Sequence, residues 1–498
     1  MTPRPPFVAE RPAAWGVLLA TLLALPFVHP WAPGPVSNAV PLMLAWSCAA
    51  LVLLFHRQMR TQDLAAGWAA AAVLASLIGM TQFLGLADSL APWVHVPAYL
   101  GDAPGNLRQR NQQATLLAMG MLALLWGLRK GWTLTVTLPG LGVLAVGLAA
   151  TGSRTGLLQL ALVVLLSSWW WRQTWADAHQ RRRLALHLGV LVLLYLLAAW
   201  GLPRVLDSLH GQQVHSALER MVGGEGCGGR GVLWSNVLYL IAQRPWTGWG
   251  WDELRYAHYI TRYPGLRFCD ILGNAHNLPL HLAFSFGVPV ALSAVVLVLG
   301  LLWRARPWHA RGAGAQLAWG VLAVIGLHSL LEFPLWYGPF QVAVLMSVGL
   351  LAGQGVTMRR PVLLPAIGAL ILACVTLVAW DYLRVRQIYL SPADRMALWR
   401  QDPLGAARGS WMFARTGAFA ELTLTTVQPG NAHKVLQQSL AALHHSPEPR
   451  VLTRLIESAA LTGHQALAEW HREQFRNVYP QAFAQSPWGL ETAASAPP

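Results

Sequence analysis

Charge is what this sequence has least of. Only 11% of its 498 residues are Asp, Glu, Lys or Arg, against roughly 25% in soluble globular domains, and that scarcity excludes an ordinary water-soluble fold. Acidic residues are scarcer than basic ones, 21 against 36, which leaves a net charge of +15. No Gly-Lys-Ser/Thr and no HExxH stretch occurs, so neither a P-loop nor a zincin site is written in the chain. Cysteine is limited to four residues. Cys48 and Cys374 lie inside apolar runs and read as small apolar side chains. Cys227 and Cys269 share one long polar stretch and could pair in an oxidising compartment. Sequence gives no Cα separation, so that pairing is left open.

What the chain has in abundance is apolar length. The mean hydropathy is +0.41, and runs of about 17 to 25 apolar residues, each enough to cross a ~30 Å hydrocarbon core, recur from Ala13 onward. About eleven are expected, centred near Leu22, Leu44, Val73, Met121, Leu141, Val163, Leu191, Val295, Val324, Val344 and Leu370. The first is read as a span rather than a cleaved signal, because no small-residue cleavage site follows it. The basic balance is then a matter of topology rather than of nucleic acid binding. Arg4 and Arg11 precede the first run; Arg57 and Arg60 follow the second, Arg129 and Lys130 the fourth, and Arg172 with Arg181, Arg182 and Arg183 the sixth. Arg304, Arg306 and Arg311 follow the eighth, and Arg359 with Arg360 the tenth. Every second connection is basic and reads as cytoplasmic. The N-terminus is expected inside and the C-terminus outside.

The outer face then holds Asp102 to Gln113, the turn TGSRTG from Thr151 to Gly156, the segment from Pro203 to Ala275, the turn EFPLWYGPF from Glu332 to Phe340, and the tail after Asp381. The expected organisation is residues 1–202 as N-terminal membrane helices, 203–275 as a large outer loop, 276–381 as C-terminal membrane helices, and 382–498 as a helical, tetratricopeptide-like tail. SPADRMALWRQ opens that tail with a serine and an aspartate suited to capping a helix. NAHKVLQQSLAALHHSP and TGHQALAEWHREQFRNVYP show apolar residues three and four apart, each ended by proline.

Three outer residues carry the chemistry. Arg154 lies where arginines are not needed for orientation, between Gly152 and Gly156, which leave room for a close-approaching anion. GGEGCGGRG, Gly223 to Gly231, contains a GxGxxG spacing from Gly226. It lacks the strand and helix context of a dinucleotide fold, and reads instead as a loop delivering Arg230 to the start of a helix. A guanidinium and free backbone N–H groups both favour phosphate there. His276 and His281 are five apart, about 140° on an ideal helix, which does not suit a metal pair. His281 reads as packed in a span. His276, beside Asn277 at the outer boundary, is placed to accept a proton, since imidazole is the side chain that changes charge near neutral pH.

Together these residues resemble the O-antigen ligase/polymerase superfamily of bacterial inner-membrane glycosyltransferases. His276, Asn277 and Gly287 match its pattern of a His, then Asn, Ser or Gln, nine residues and a Gly; Val290 departs from one version, which expects a small residue or Tyr. TGSRTG around Arg154 and GRGVLW around Arg230 look like its two outer arginine motifs. NLRQRNQQA, Asn106 to Ala114, and HSLLEFPLWYGPF, His328 to Phe340, look like motifs of its PglL-type branch of protein O-oligosaccharyltransferases, as does the helical tail.

The resemblance implies an all-α polytopic protein of the bacterial inner membrane, with its active site and tail in the periplasm. It implies inverting transfer of a glycan from undecaprenyl diphosphate to Ser or Thr hydroxyls of a periplasmic protein, a pilin or lipoprotein, with no cofactor, metal or nucleic acid. Arg154 and Arg230 would bind the diphosphate and stabilise its leaving charge, and His276 would be the base. Gln109 or Gln112, with Arg110, Asn277, Glu332 and Tyr337, would support donor or acceptor; spacing does not choose between the glutamines. Transfer to lipid A-core and polymerisation of the glycan share these residues. A flippase would place paired ionisable groups near mid-membrane, whereas here they gather at one face.

Overall fold

The computed structural model describes residues 12–31, 34–56, 59–174, 177–211, 226–353 and 363–494. Arg4, Arg11, Arg57, Arg359 and Arg360 of the topology argument lie outside the described residues, as do Gly223 to Glu225 of the glycine-rich stretch. Among the described residues the regular structure is helical throughout. The expected span centres fall in α1 (Ala13–Val28), α2 (Ala39–Leu54), α3 (Thr61–Phe83), α4 (Arg110–Arg129), α5 (Leu134–Ala150), α6 (Arg154–Thr174) and α7 (Ala178–His210). Two short helices, α8 (Arg230–Gln243) and α9 (Leu254–Ile260), cross the long outer segment, followed by α10 (Leu278–Phe286). The remaining centres fall in α11 (Val288–Ala305), α12 (Ala313–Ser329), α13 (Gly338–Ala352) and α14 (Leu363–Arg386).

Length separates these helices. Four described stretches, Thr61–Phe83, Ala178–His210, Val288–His309 and Leu363–Tyr389, are long and apolar enough to cross a membrane. Ala13–Val28, Ala39–Leu54, Leu134–Ala150, Ala313–Ser329 and Gly338–Ala352 are apolar but shorter. At 1.5 Å per residue a helix of 16 residues covers about 24 Å of a ~30 Å core.

Contacts divide the chain into two compact units. The first comprises Met1–Pro33, Asn38–Gly223 and Leu302–Thr376; the second comprises Gly34–Ser37, Gly224–Leu301 and Leu377–Pro498. In the first, α4 is the hub: every residue from Asn111 to Leu128 is buried, because α3, α5, α6 and α12 all pack on it. Small residues allow that closeness, and a Cβ on Gly120 would collide with Ala72 of α3. Two polar side chains inside this bundle bond to carbonyls of neighbouring helices, which offsets the cost of burying them. Gln113 Nε2 donates to the Ala75 carbonyl (2.6 Å) and Ser76 Oγ to that of Val143 (2.7 Å).

In the second unit the tail forms α15 (Pro403–Arg408), α16 (Ala414–Leu424), α17 (Ala432–Leu443), α18 (Pro449–Leu461), α19 (Gln465–Val478), α20 (Pro480–Ala484) and α21 (Pro487–Ala494). Successive members of α15 to α21 pack on one another, as helical repeats do. The two amphipathic stretches are helices, α17 and α19. SPADRMALWRQ is not an α-helix: only Ala397–Trp399 forms a single 3₁₀ turn, and Ser391 Oγ donates to the Asp394 carboxylate (2.7 Å) instead of capping a longer element.

Candidate functional site

Each chemical motif sits where a helix begins. Gln109 precedes α4 and its side-chain oxygen accepts from the Gln112 N–H (2.7 Å). Ser153 precedes α6 and accepts from the Gly156 N–H (2.9 Å), which leaves Arg154 as the first helical residue. Arg230 opens α8 after Gly229. Asn277 caps α10 by accepting from the Leu280 N–H (3.0 Å), and Tyr337 precedes α13. Polar caps satisfy the otherwise orphaned N–H groups, and each helix start adds a partial positive charge to the motif it carries.

Within the first unit, side chains tie three of these helix starts together. Ser153 Oγ donates to Asn111 Oδ1 (2.6 Å), and Asn111 Nδ2 donates to Glu332 Oε1 (3.0 Å). Burial raises the pKa of Tyr337, and the neighbouring side chains of Gln112 and Asn38 oppose that rise. Gln112, Glu332 and Tyr337 therefore belong to one polar cluster at the starts of α4 and α13, joined through Asn111 to Ser153, the residue before Arg154. One turn deeper, Thr115 Oγ1 meets His328 Nδ1 (2.7 Å) and accepts from Gln159 Nε2 (2.8 Å). The two glutamines left open by spacing now differ: Gln109 is spent on its own helix cap, while Gln112 reaches Tyr337. Arg110 pairs with Asp102 at 2.9 Å.

The second unit holds Arg230 and His276. Trp234 is one helical turn beyond Arg230 on the same face of α8, and its Nε1 donates to the Ala275 carbonyl (3.1 Å), the residue before His276. His276 has φ of +51°, a left-handed conformation that is rare for a residue with a side chain and is found at functional sites. Asn274 holds it there, its Oδ1 accepting from the His276 N–H (2.9 Å). The helical angle between His276 and His281 does not apply, since His276 stands before the cap of α10. His281 is buried, its Nδ1 facing the Ala275 N–H at 3.4 Å. Arg154, Arg230 and His276 are each half-buried.

Cys227 and Cys269 are joined as a disulfide with Cα atoms 5.5 Å apart. It ties the residues before α8 to the loop that leads to His276. Residues that sequence reasoning passed over include Asn111, Trp234 and Asn274. The spacing of four from Arg230 to Trp234 was a signal for Trp234 alone.

Three family profiles match in chain order. One described as "Protein glycosylation ligase" covers residues 103–126, one described as "O-Antigen ligase" covers 139–295, and one described as "Virulence factor membrane-bound polymerase, C-terminal" covers 316–489. The first spans Gln109 to Gln112, the second Arg154, Arg230 and His276, the third Glu332, Tyr337 and most of the tail. The chain is also 26% identical over 293 residues to a protein of Acinetobacter baylyi named "General O-oligosaccharyltransferase". That match takes in 57% of this chain and 49% of the relative, so the chain spans about half the length of the curated protein it matches. With its apolar helices and the motifs at their starts, the chain is similar to the O-antigen ligase superfamily and to protein glycosylation ligases within it.

Proposed function

We propose that this protein transfers an oligosaccharide from undecaprenyl diphosphate to Ser or Thr hydroxyls of periplasmic proteins such as pilins, with inversion at the anomeric carbon. The observation that carries the reading is His276 fixed in a left-handed turn beside the helix that begins with Arg230. In the proposed step a ring nitrogen of His276 takes the hydroxyl proton of the acceptor. The oxygen forms its bond to the anomeric carbon from the face opposite the diphosphate, and the bond from that carbon to the diphosphate breaks with its electron pair. Arg154 and Arg230 meet the charge on the leaving group by paired hydrogen bonds, which is why the mechanism calls for no divalent ion. Gln112 and Tyr337 support the donor or acceptor from the cluster at α4 and α13. The match of residues 139–295 to an O-antigen ligase profile favours lipid A-core as the second acceptor class.

Expression in a bacterium that builds a lipid-linked glycan but lacks its own ligase, with and without a candidate pilin or lipoprotein, tests this reading. Glycan is expected on protein, with a loss of about 10²- to 10⁴-fold in His276→Ala, the usual worth of a positioned base, while the variant is still made and inserted. Glycan on lipid A-core would move the acceptor assignment to the ligase. An active His276→Ala enzyme would remove the base from the mechanism.

A further inference from the structure

Part of the tail's apolar interior is filled by a residue of α9. Tyr259 of α9 is 1% exposed and packs in the core formed by Leu436, Leu455, Ile456 and Phe475 of the tail. Its hydroxyl bonds to His471 Nδ1 (2.9 Å), the two rings stack 5.9 Å apart, and the Gln474 amide donates to the Tyr259 carbonyl. On either side Glu253 meets His444 (2.6 Å), Tyr256 stacks on the same imidazole (3.9 Å), and Arg262 pairs with Glu473 (2.9 Å). A helix of seven residues is far too short to hold itself together in water. Its tertiary contacts with the tail make it a helix.

From α9 the contacts run on toward His276. His258 Nε2 bonds to the Phe268 carbonyl (3.2 Å), and Arg267 Nη1 donates to that of Thr261 (3.1 Å). Cys269 is bridged to Cys227. The Arg255 guanidinium lies so close to the Gly273 backbone that a Cβ there would meet it at 2.9 Å. Gly273 is three residues before His276. Asn236 of α8 binds the same loop from the other side, donating to the Leu266 carbonyl (2.9 Å) and accepting from the Phe268 N–H (2.8 Å).

We propose that Tyr259 is a positioning residue: by docking α9 into the tail it fixes the loop that presents His276, so the tail sets turnover rather than acceptor affinity. This rests on the activity proposed above. The test uses the full-length enzyme in detergent with a disaccharide on undecaprenyl diphosphate and a pilin-derived acceptor. In Tyr259→Phe, which keeps the core but loses one hydrogen bond, kcat is expected to fall about fivefold. In Tyr259→Ala it falls about 10²-fold, the penalty of a slightly misplaced catalytic group, with the acceptor KM within about twofold. Hydrogen exchange over residues 261–277 quickens in Tyr259→Ala while the membrane helices keep their protection. Unchanged kcat in both variants overturns the proposal. So does a raised acceptor KM at constant kcat, which would make the tail a docking surface. The exchange measurement separates the two readings: if the wild-type enzyme moves no glycan, the activity reading has failed, and unchanged exchange in Tyr259→Ala would sink the positioning role by itself. If Tyr259→Ala does not insert, the Tyr259→Phe kinetics decide.

Discussion

His258, His471 and His276 share one unit and one side-chain chemistry, and their surroundings give them different work. His258 has a carbonyl, which only accepts, at Nε2 and the Tyr263 hydroxyl (2.8 Å) at Nδ1. Nε2 therefore carries the proton and Nδ1 accepts, so the ring is neutral. Burial is the main force that pushes its pKa down to about 3, with the Arg267 charge adding to it, and burial alone takes His471 to about 4. An unfolded histidine takes up its proton near pH 6.5, but these folded ones refuse it until far lower. Their contribution to stability is complete above pH 6.5 and is lost as pH falls from there toward 3 to 4. At pH 5 the loss is about 2 kcal/mol for each. Thermal unfolding of the tail and protection of its amides are expected to weaken steadily from about pH 7 to about pH 5, and less so in His258→Gln. A flat profile over that range would mean the two imidazoles do not couple to folding. His276 works differently, with its backbone constrained by Asn274 and its side chain half-buried at the turn.

At the scale of elements, periodicity and hydropathy located the long helices, while the caps at their starts came from the structure. Gln109, Ser153 and Asn277 stand in the quoted motifs, and each caps the helix that follows. What could not be read was anything that forms because of a distant partner. α9 has no capping signal and one buried turn of apolar residues; Tyr259 is ordinary in sequence and central in the tail core. SPADRMALWRQ misled in the other direction, since its cap chemistry is real but too few helix-forming residues follow before Pro403. The cluster around Asn111 was invisible because it joins segments far apart in sequence, and the bond from Trp234 to the Ala275 carbonyl was invisible for the same reason. The cysteine pair illustrates both sides, since location was readable and geometry was not. The bridge closes a loop across a sequence separation of 42 residues, for which loop-closure entropy gives about 4 kcal/mol. Cys269→Ser, or mild reduction of the wild type, is expected to speed proteolysis between α9 and α10 and to lower glycan transfer. If a reduced enzyme keeps both its protease resistance and its rate, the contacts of α9 hold the loop unaided.

For the whole molecule the question is which side each end occupies. The basic residues answer for one face: Arg129 and Lys130 end α4, Arg172 lies in the last turn of α6, and Arg304 lies in the last turn of α11. The motif residues answer for the other, since Gln109 and Arg154 stand at the opposite ends of α4 and α6. Cations concentrate on the cytoplasmic side of membrane helices, so the starts of α4 and α6 are expected outside. The same logic sends the tail outside if α4, α6 and the shorter apolar helices cross along with the four long ones. α14, with 24 residues, extends about 36 Å and has length to spare for a ~30 Å core. A reporter enzyme that is active only in the periplasm, fused after Lys130 and separately after Ser391, tests the arrangement. The first fusion is expected to be silent and the second active. Activity after Lys130 with silence after Ser391 would invert the topology and place His276 in the cytoplasm, away from a periplasmic acceptor. Silence at both positions would mean that one of the shorter apolar helices does not cross, leaving the tail on the side of the basic residues.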